Sequence, residues 1–145
     1  MKAVIVSGSV CSGKTTFAKK LAKENMYKYV SVTDLVKKYK LSECYDKERD
    51  SEIVDVKKLN KVLIKLINDS KKKLVIDGHL SHYLPKKYVE KCYIIKCELK
   101  ELKKRLKKRG YSENKIRENL DAEIFDVCLV EAKENGYEIE VIEKA

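Results

Sequence analysis

Val4-Ile5-Val6-Ser7-Gly8-Ser9-Val10-Cys11-Ser12-Gly13-Lys14-Thr15-Thr16 is the stretch that decides the fold. Its first residues, with Ala3, form an unbroken apolar run. An unbroken run reads as a strand buried on both faces, because a half-exposed strand would alternate. Gly8, four residues, Gly13, Lys14 and Thr15 match G-x-x-x-x-G-K-[ST]. An amphipathic helix follows, with Phe17, Ala18, Leu21 and Ala22 on one face. Strand, loop and helix in that order are the context in which this pattern binds phosphate. Gly8 and Gly13 let the backbone take unusual dihedrals and come close to a ligand. The helix N-terminus adds unpaired N–H groups and a positive dipole end. Lys14 is then expected to reach the β- and γ-phosphates of a nucleotide, and the Thr15 hydroxyl to hold Mg²⁺. The plain alternative is a glycine-rich turn with no ligand. Chance would assemble the four fixed positions in well under ~1% of chains this long, so nucleotide binding is the expectation.

Downstream, the chain alternates strands and helices. Residues 27–32 alternate as a second strand, and Thr33 and Asp34 are placed to cap a short helix over 35–39. Residues 40–52 are polar with no clean period and read as a loop over the site. Val56, Leu59, Val62, Leu63, Leu66 and Ile67 mark a helix. Leu74-Val75-Ile76 and Tyr93-Ile94-Ile95 are short buried strands, with the only proline, Pro85, between them. A basic helix over 98–108 turns Leu99, Leu102 and Leu106 inward and ends near Gly110. Ser112 caps a long helix running to about Glu134. Asn135-Gly136 stops that helix, and 137–142 form a last strand. The pattern predicts an α/β fold, a parallel sheet with helices on both faces, in one domain spanning 1–145.

A phosphate-binding loop does not define a reaction, and Asp77 narrows it. It ends the apolar strand at the carboxyl edge of the sheet, where a carboxylate holds Mg²⁺ directly or through water. His79, two residues on, either orients a water or the transferred phosphoryl group or is a neutral hydrogen-bonding residue; both readings stand. Guanine recognition through N-K-x-D is missing, since Asn60-Lys61 and Asn114-Lys115 lack the aspartate. ATP is therefore the better donor. Arg105, Arg109 and Arg117 surround the Gly110 break, where a short lid would supply cations, Arg109 first among them. An acceptor nucleotide needs a cation and polar groups. Residues 33–52 offer Thr33, Asp34, Tyr45, Asp46, Arg49 and Asp50. Arg49 is the only arginine there and suits a phosphate. A surface loop carrying one arginine is the competing reading.

Composition bounds the rest. In 145 residues there are 33 Lys+Arg against 23 Asp+Glu, a net charge of +10. This suits anionic ligands. Lys100, Lys103, Lys104, Arg105, Lys107, Lys108 and Arg109 fall within ten residues. They give either a weak RNA contact or a solvated, heat-adapted face. Five cysteines with irregular spacing and no C-x-x-C argue against a disulfide framework and for a reducing, cytoplasmic setting. Cys92 and Cys97 flank a predicted strand. No run approaches membrane-spanning length, and no signal peptide is expected.

Taken together, G-S-V-C-S-G-K-T-T at 8–16, Y-D-K-E-R-D at 45–50, D-G-H at 77–79, R-G-Y-S-E-N-K-I at 109–116 and N-L-D-A-E-I-F at 119–125 resemble the adenylate kinase 6 (CINAP) family and its archaeal members. The resemblance covers nearly the whole chain. It implies a P-loop nucleoside monophosphate kinase fold with strand order 2-3-1-4-5. It also implies ATP:AMP phosphotransfer of broad specificity, ATPase side activity and a role in small-subunit ribosome maturation through ribosomal protein uS11. By position, Cys11, Gly13, Lys14, Thr15 and Thr16 would bind ATP phosphates, with Gly8 and Ser12 in the same loop. Asp77 and His79 occupy the family's D-x-H. Asp34, Arg49 and Asp50 fall in the monophosphate-binding segment, about 28–51, and Arg109 in a short lid, about 108–118. The sequence departs from the family at Cys11, where glycine is usual. It also stops just after its last strand, where the family has a further helix covering one flank of the sheet. The competing functional readings are a ribosome-assembly ATPase switch and a polynucleotide or small-metabolite kinase.

Overall fold

The computed structural model describes residues 2–8, 12–46, 51–78 and 84–144, taking 43–46, 51–53 and 144 as backbone only. Five parallel strands make the main sheet: β1 (Ala3–Gly8), β2 (Lys28–Ser31), β5 (Leu74–Asp77), β6 (Val89–Cys97) and β7 (Ile139–Lys144). Their spatial order is β2-β5-β1-β6-β7, which is 2-3-1-4-5 when these five are counted in chain order. β1 lies at the centre, and all six of its residues are buried. This is why its sequence is apolar without alternation.

One face of the sheet is covered by α1 (Lys14–Asn25), around Val6, Ala18, Ala22, Val75 and Ile95. The opposite face carries the larger core, with Leu59, Leu63 and Ile67 of α3 (Val56–Asp69) and Cys128 and Ala132 of α6 (Val127–Glu134). A satellite cluster joins α4 (Leu99–Lys108) and α5 (Glu113–Ile124) through Leu102, Leu106, Tyr111, Ile116 and Leu120. The predicted stops fall where the turn chemistry puts them. Gly110 and Gly136 take φ 77° and 75° beyond helix ends, and the Ser112 hydroxyl accepts from Lys115 N at 3.2 Å to start α5.

Several sequence expectations are corrected. The helix α2 (Val32–Lys38) starts three residues before the predicted point, because Ser31, not Thr33 or Asp34, is its cap: Ser31 Oγ accepts from Asp34 N at 3.3 Å. Residues 40–52 are not simply a loop. An antiparallel pair outside the main sheet, β3 (Ser42–Asp46) and β4 (Ser51–Val54), starts within them and runs two residues past their end. A two-stranded ribbon has no second core face to demand an apolar period. The predicted long helix after Ser112 is broken into α5 and α6 at Asp126, which adopts the left-handed conformation with φ 51°. Ile124 and Phe125 turn outward at this break, 54% and 70% exposed. Leu99, expected inside, opens α4 and is 40% exposed. Finally, β6 begins four residues before the expected run, so Cys92 and Cys97 lie within the strand and are buried. Among the described residues, no helix is long and apolar enough to cross a membrane.

Candidate nucleotide site

The carboxyl ends of β1, β5 and β2 place the candidate residues. β1 ends in Gly8, whose φ is 153°. A Cβ there would lie 2.6 Å from the Ile95 carbonyl oxygen and 2.9 Å from Ser12 Oγ, so only glycine lets Ile95 and Ser12 come this close to the end of β1. Gly13, at φ 95°, is the N-cap of α1 and offers the helix's first N–H groups no side chain of its own. Lys14, Thr15 and Thr16 form the first turn of α1. Of the loop itself, Cys11 lies outside the described residues, whereas Ser12 is fully buried and its hydroxyl has no hydrogen-bond partner among them.

Asp77 ends β5, is 5% exposed and meets this turn: Thr15 Oγ1 donates to Asp77 Oδ2 at 2.8 Å. Val6 of β1 stands beside Asp77 in the ladder, which aligns the strand ends. The other carboxylate oxygen, Oδ1, is buried with no partner among the described residues. Buried polar atoms are seldom left so. Orphaned Ser12 Oγ and Asp77 Oδ1, uncapped helix N–H groups and Lys14 together suit a phosphate chain with a divalent cation: donors and a cation for the anion, a carboxylate for the metal. The residues present therefore fit MgATP.

Sequence comparison agrees with this architecture. A protein-family profile described as AAA domain matches residues 4–126. The protein named "Putative adenylate kinase" of Methanocaldococcus jannaschii is 40% identical over 139 residues, covering 94% of this chain and 75% of that protein. The chain belongs to the adenylate-kinase-like family. A second such relative, from Methanosarcina acetivorans, is 35% identical over 89% of this chain and 70% of its own length. The fold also matches the crystal structure of a sugar kinase from Janibacter, with a TM-score of 0.65 at 17% identity, covering 99% of this chain and 85% of that one.

In this adenylate-kinase-like chain the remaining candidates are scattered. Asp34 is exposed in the first turn of α2, at the same sheet edge as Asp77. Gly78 brings β5 against α2 so closely that a Cβ would meet Val32 Cβ at 2.4 Å. Arg109 is the exposed C-cap of α4. His79, Arg49 and Asp50 lie outside the described residues.

Sequence reasoning missed two features. Tyr29 Oη donates to Asp77 Oδ2 at 2.6 Å, so two hydroxyls converge on one oxygen. Burial, and then the hydrogen bond to Asp77, push the Tyr29 phenol up to about 12 against the pull of the Thr15 and Ser31 hydroxyls, and it stays protonated. No sequence signal pointed to it; the strand register brings them together, since Ser31 pairs Asp77 and Tyr29 sits two residues back on the same face. The second feature lies at the end of β6. Glu123, 7% exposed, accepts from Cys97 N at 3.4 Å and lies 3.8 Å from Lys96 Nζ, which also pairs with Asp126. This knot ties the α5–α6 break to the end of β6. Nearby, burial pushes the Cys128 thiol up to about 11, while the Ser7 hydroxyl and the Lys14 charge pull it down.

Proposed function

We propose that the chain is an ATP-dependent nucleoside monophosphate kinase that moves the γ-phosphoryl group of ATP to the α-phosphate oxygen of AMP, giving two ADP, with slower hydrolysis of ATP to ADP and phosphate. The observation that carries this reading is the contact of Thr15 with Asp77 beside an uncapped helix N-terminus. Bound Mg²⁺ would supply charge neutralisation between the phosphates. Thr15 and Asp77 are its ligands in this reading. Lys14, the N–H groups of Gly8, Cys11, Ser12 and Gly13, and that of Thr16 in the first turn of α1 bind and orient the phosphates. Arg109 brings a cation from the 108–118 lid. His79 orients the transferred phosphoryl group or a water. The names of the archaeal relatives support adenylate as acceptor. Asp34, Arg49 and Asp50, within about 28–51, are assigned to it.

The test is a phosphoryl-transfer screen of ATP against AMP, GMP, CMP and UMP, with hydrolysis in water alone alongside. Transfer to AMP should exceed hydrolysis. Hydrolysis alone, with no acceptor phosphorylated, would instead establish the ATPase-switch reading.

One observation favours a second role. Lys100, Lys103, Lys104, Lys107 and Lys108 are all exposed on α4, and one nucleotide cannot use them all. This face supports contact with rRNA during small-subunit maturation, with uS11 as the protein partner, in the cytoplasm. A Lys103/Lys104/Lys107/Lys108→Gln variant should bind RNA with a log–log salt slope shallower by about three units.

A further inference from the structure

Tyr29 belongs to no part of the P-loop pattern, yet its phenol reaches the carboxylate at the heart of the site. β2 and β5 run parallel, with Tyr29 opposite Val75 and Ser31 opposite Asp77. This register puts Tyr29 and Asp77 on the α1 face of adjacent strands, one step apart. Lys19 Nζ of α1 lies 5.5 Å from the centroid of the Tyr29 ring, holding it from the helix side. From there Tyr29 Oη donates to Asp77 Oδ2 at 2.6 Å, beside the 2.8 Å donation from Thr15 Oγ1.

The two donors are not equivalent. The Thr15 hydroxyl is itself a cation ligand in the reading above. The phenol is not: in the fold it stands only as a hydrogen-bond donor to Oδ2. Two donors from separate elements fix the torsion of the carboxylate through one oxygen. Oδ1 is then the oxygen left without a partner among the described residues. A buried carboxylate oxygen without a donor is costly unless something completes it. Outer partners that orient a ligating carboxylate are known to govern how well a metal binds.

We propose that Tyr29 is a positioning residue for the metal site: it holds Asp77 by Oδ2 and so keeps Oδ1 open to the divalent cation or to a water on it. The assignment rests on the metal role given to Asp77 above, and it extends the site to β2, the strand that leads into the acceptor segment.

The experiment uses Mn²⁺ as the probe, with a non-hydrolysable ATP analogue, and follows Mn²⁺ binding by water-proton relaxation in the native chain and in the Tyr29→Phe, Tyr27→Phe and Asp77→Asn variants. Tyr29→Phe removes one oxygen and keeps the ring. It should weaken Mn²⁺ in the ternary complex roughly tenfold, the low end for losing an outer partner of a metal ligand. Affinity for the nucleotide in EDTA should stay unchanged. Tyr27, whose ring faces Lys73 instead, is the control and should leave both quantities alone. Tyr29→Phe binding Mn²⁺ within twofold of the native chain, while Asp77→Asn weakens it, would overturn the role of Tyr29 and leave the metal reading standing. A loss of nucleotide affinity equal with and without metal would mark Tyr29 as merely structural, and also overturn it. Unchanged Mn²⁺ binding in Asp77→Asn would remove the metal reading and this assignment together.

Discussion

Gly78→Ala should be among the costliest single methyl additions in this chain. A Cβ built at Gly78 lies 2.4 Å from Val32 Cβ, 2.6 Å from its Cγ2 and 3.3 Å from its Cγ1. Carbon atoms rest at about 3.5–4.0 Å, so a gap of roughly 1 Å must open. Rotating Val32 does not open it, because the nearest atom is Cβ itself, and Val32 is 5% exposed at the first residue of α2. Either α2 or the end of β5 has to move. Overpacking of this kind costs about 1–3 kcal/mol, here about 2–3, because stiff atoms meet. For a chain of this size that is a fall in Tm of roughly 5–10 °C. Asp77 precedes Gly78, so the same shift should loosen Thr15–Asp77 and lower turnover. The assay is urea unfolding of a double-mutant cycle with Val32→Gly. Once the Val32 side chain is gone, Gly78→Ala should cost almost nothing, a coupling of about 2 kcal/mol. A cost under about 0.5 kcal/mol in the native background, or the same cost in both backgrounds, would refute the reasoning.

Lys14→Ala should lower turnover by roughly 10²-fold or more, the scale of a preorganised transition-state contact, while thermal melting stays near native. Lys96→Met removes the cation that buried Glu123 and Asp126 share and should cost roughly 1–3 kcal/mol in urea unfolding. Tyr137, 7% exposed with its hydroxyl donating to the Leu84 carbonyl, has its pKa raised mainly by burial. Its share of stability is complete below pH 10, the ordinary tyrosine value, and is lost as pH climbs through the raised folded value. Tyr137→Phe should therefore flatten the alkaline fall in stability measured by unfolding at stepped pH. An unchanged slope would count against that assignment.

The legible parts of the molecule are those where local chemistry and tertiary need coincide. β1 was readable because a central parallel strand must be apolar on both faces, and α1 because the phosphate loop fixes where it starts. Thr15 and Asp77, 62 residues apart, could be paired in advance only because the loop pattern implies a carboxylate on a neighbouring strand. Tyr29 carried no such implication, since an alternating strand looks the same whether its tyrosine packs or donates. The break at Asp126 was hidden because a left-handed residue inside a helical run is uncommon and its partner, Lys96, is 30 residues away. The β3–β4 pair escaped because its residues answer to backbone hydrogen bonds and not to a core.

The central claim is that this site passes a phosphoryl group to a nucleotide and does not merely release it. ATP labelled at the γ-phosphate, incubated with AMP and Mg²⁺, separates the two fates in a single measurement. The account predicts most label in the β-position of ADP, little in free phosphate, and loss of both from Lys14→Ala. Label appearing only as free phosphate, at a rate unaffected by AMP, would contradict it.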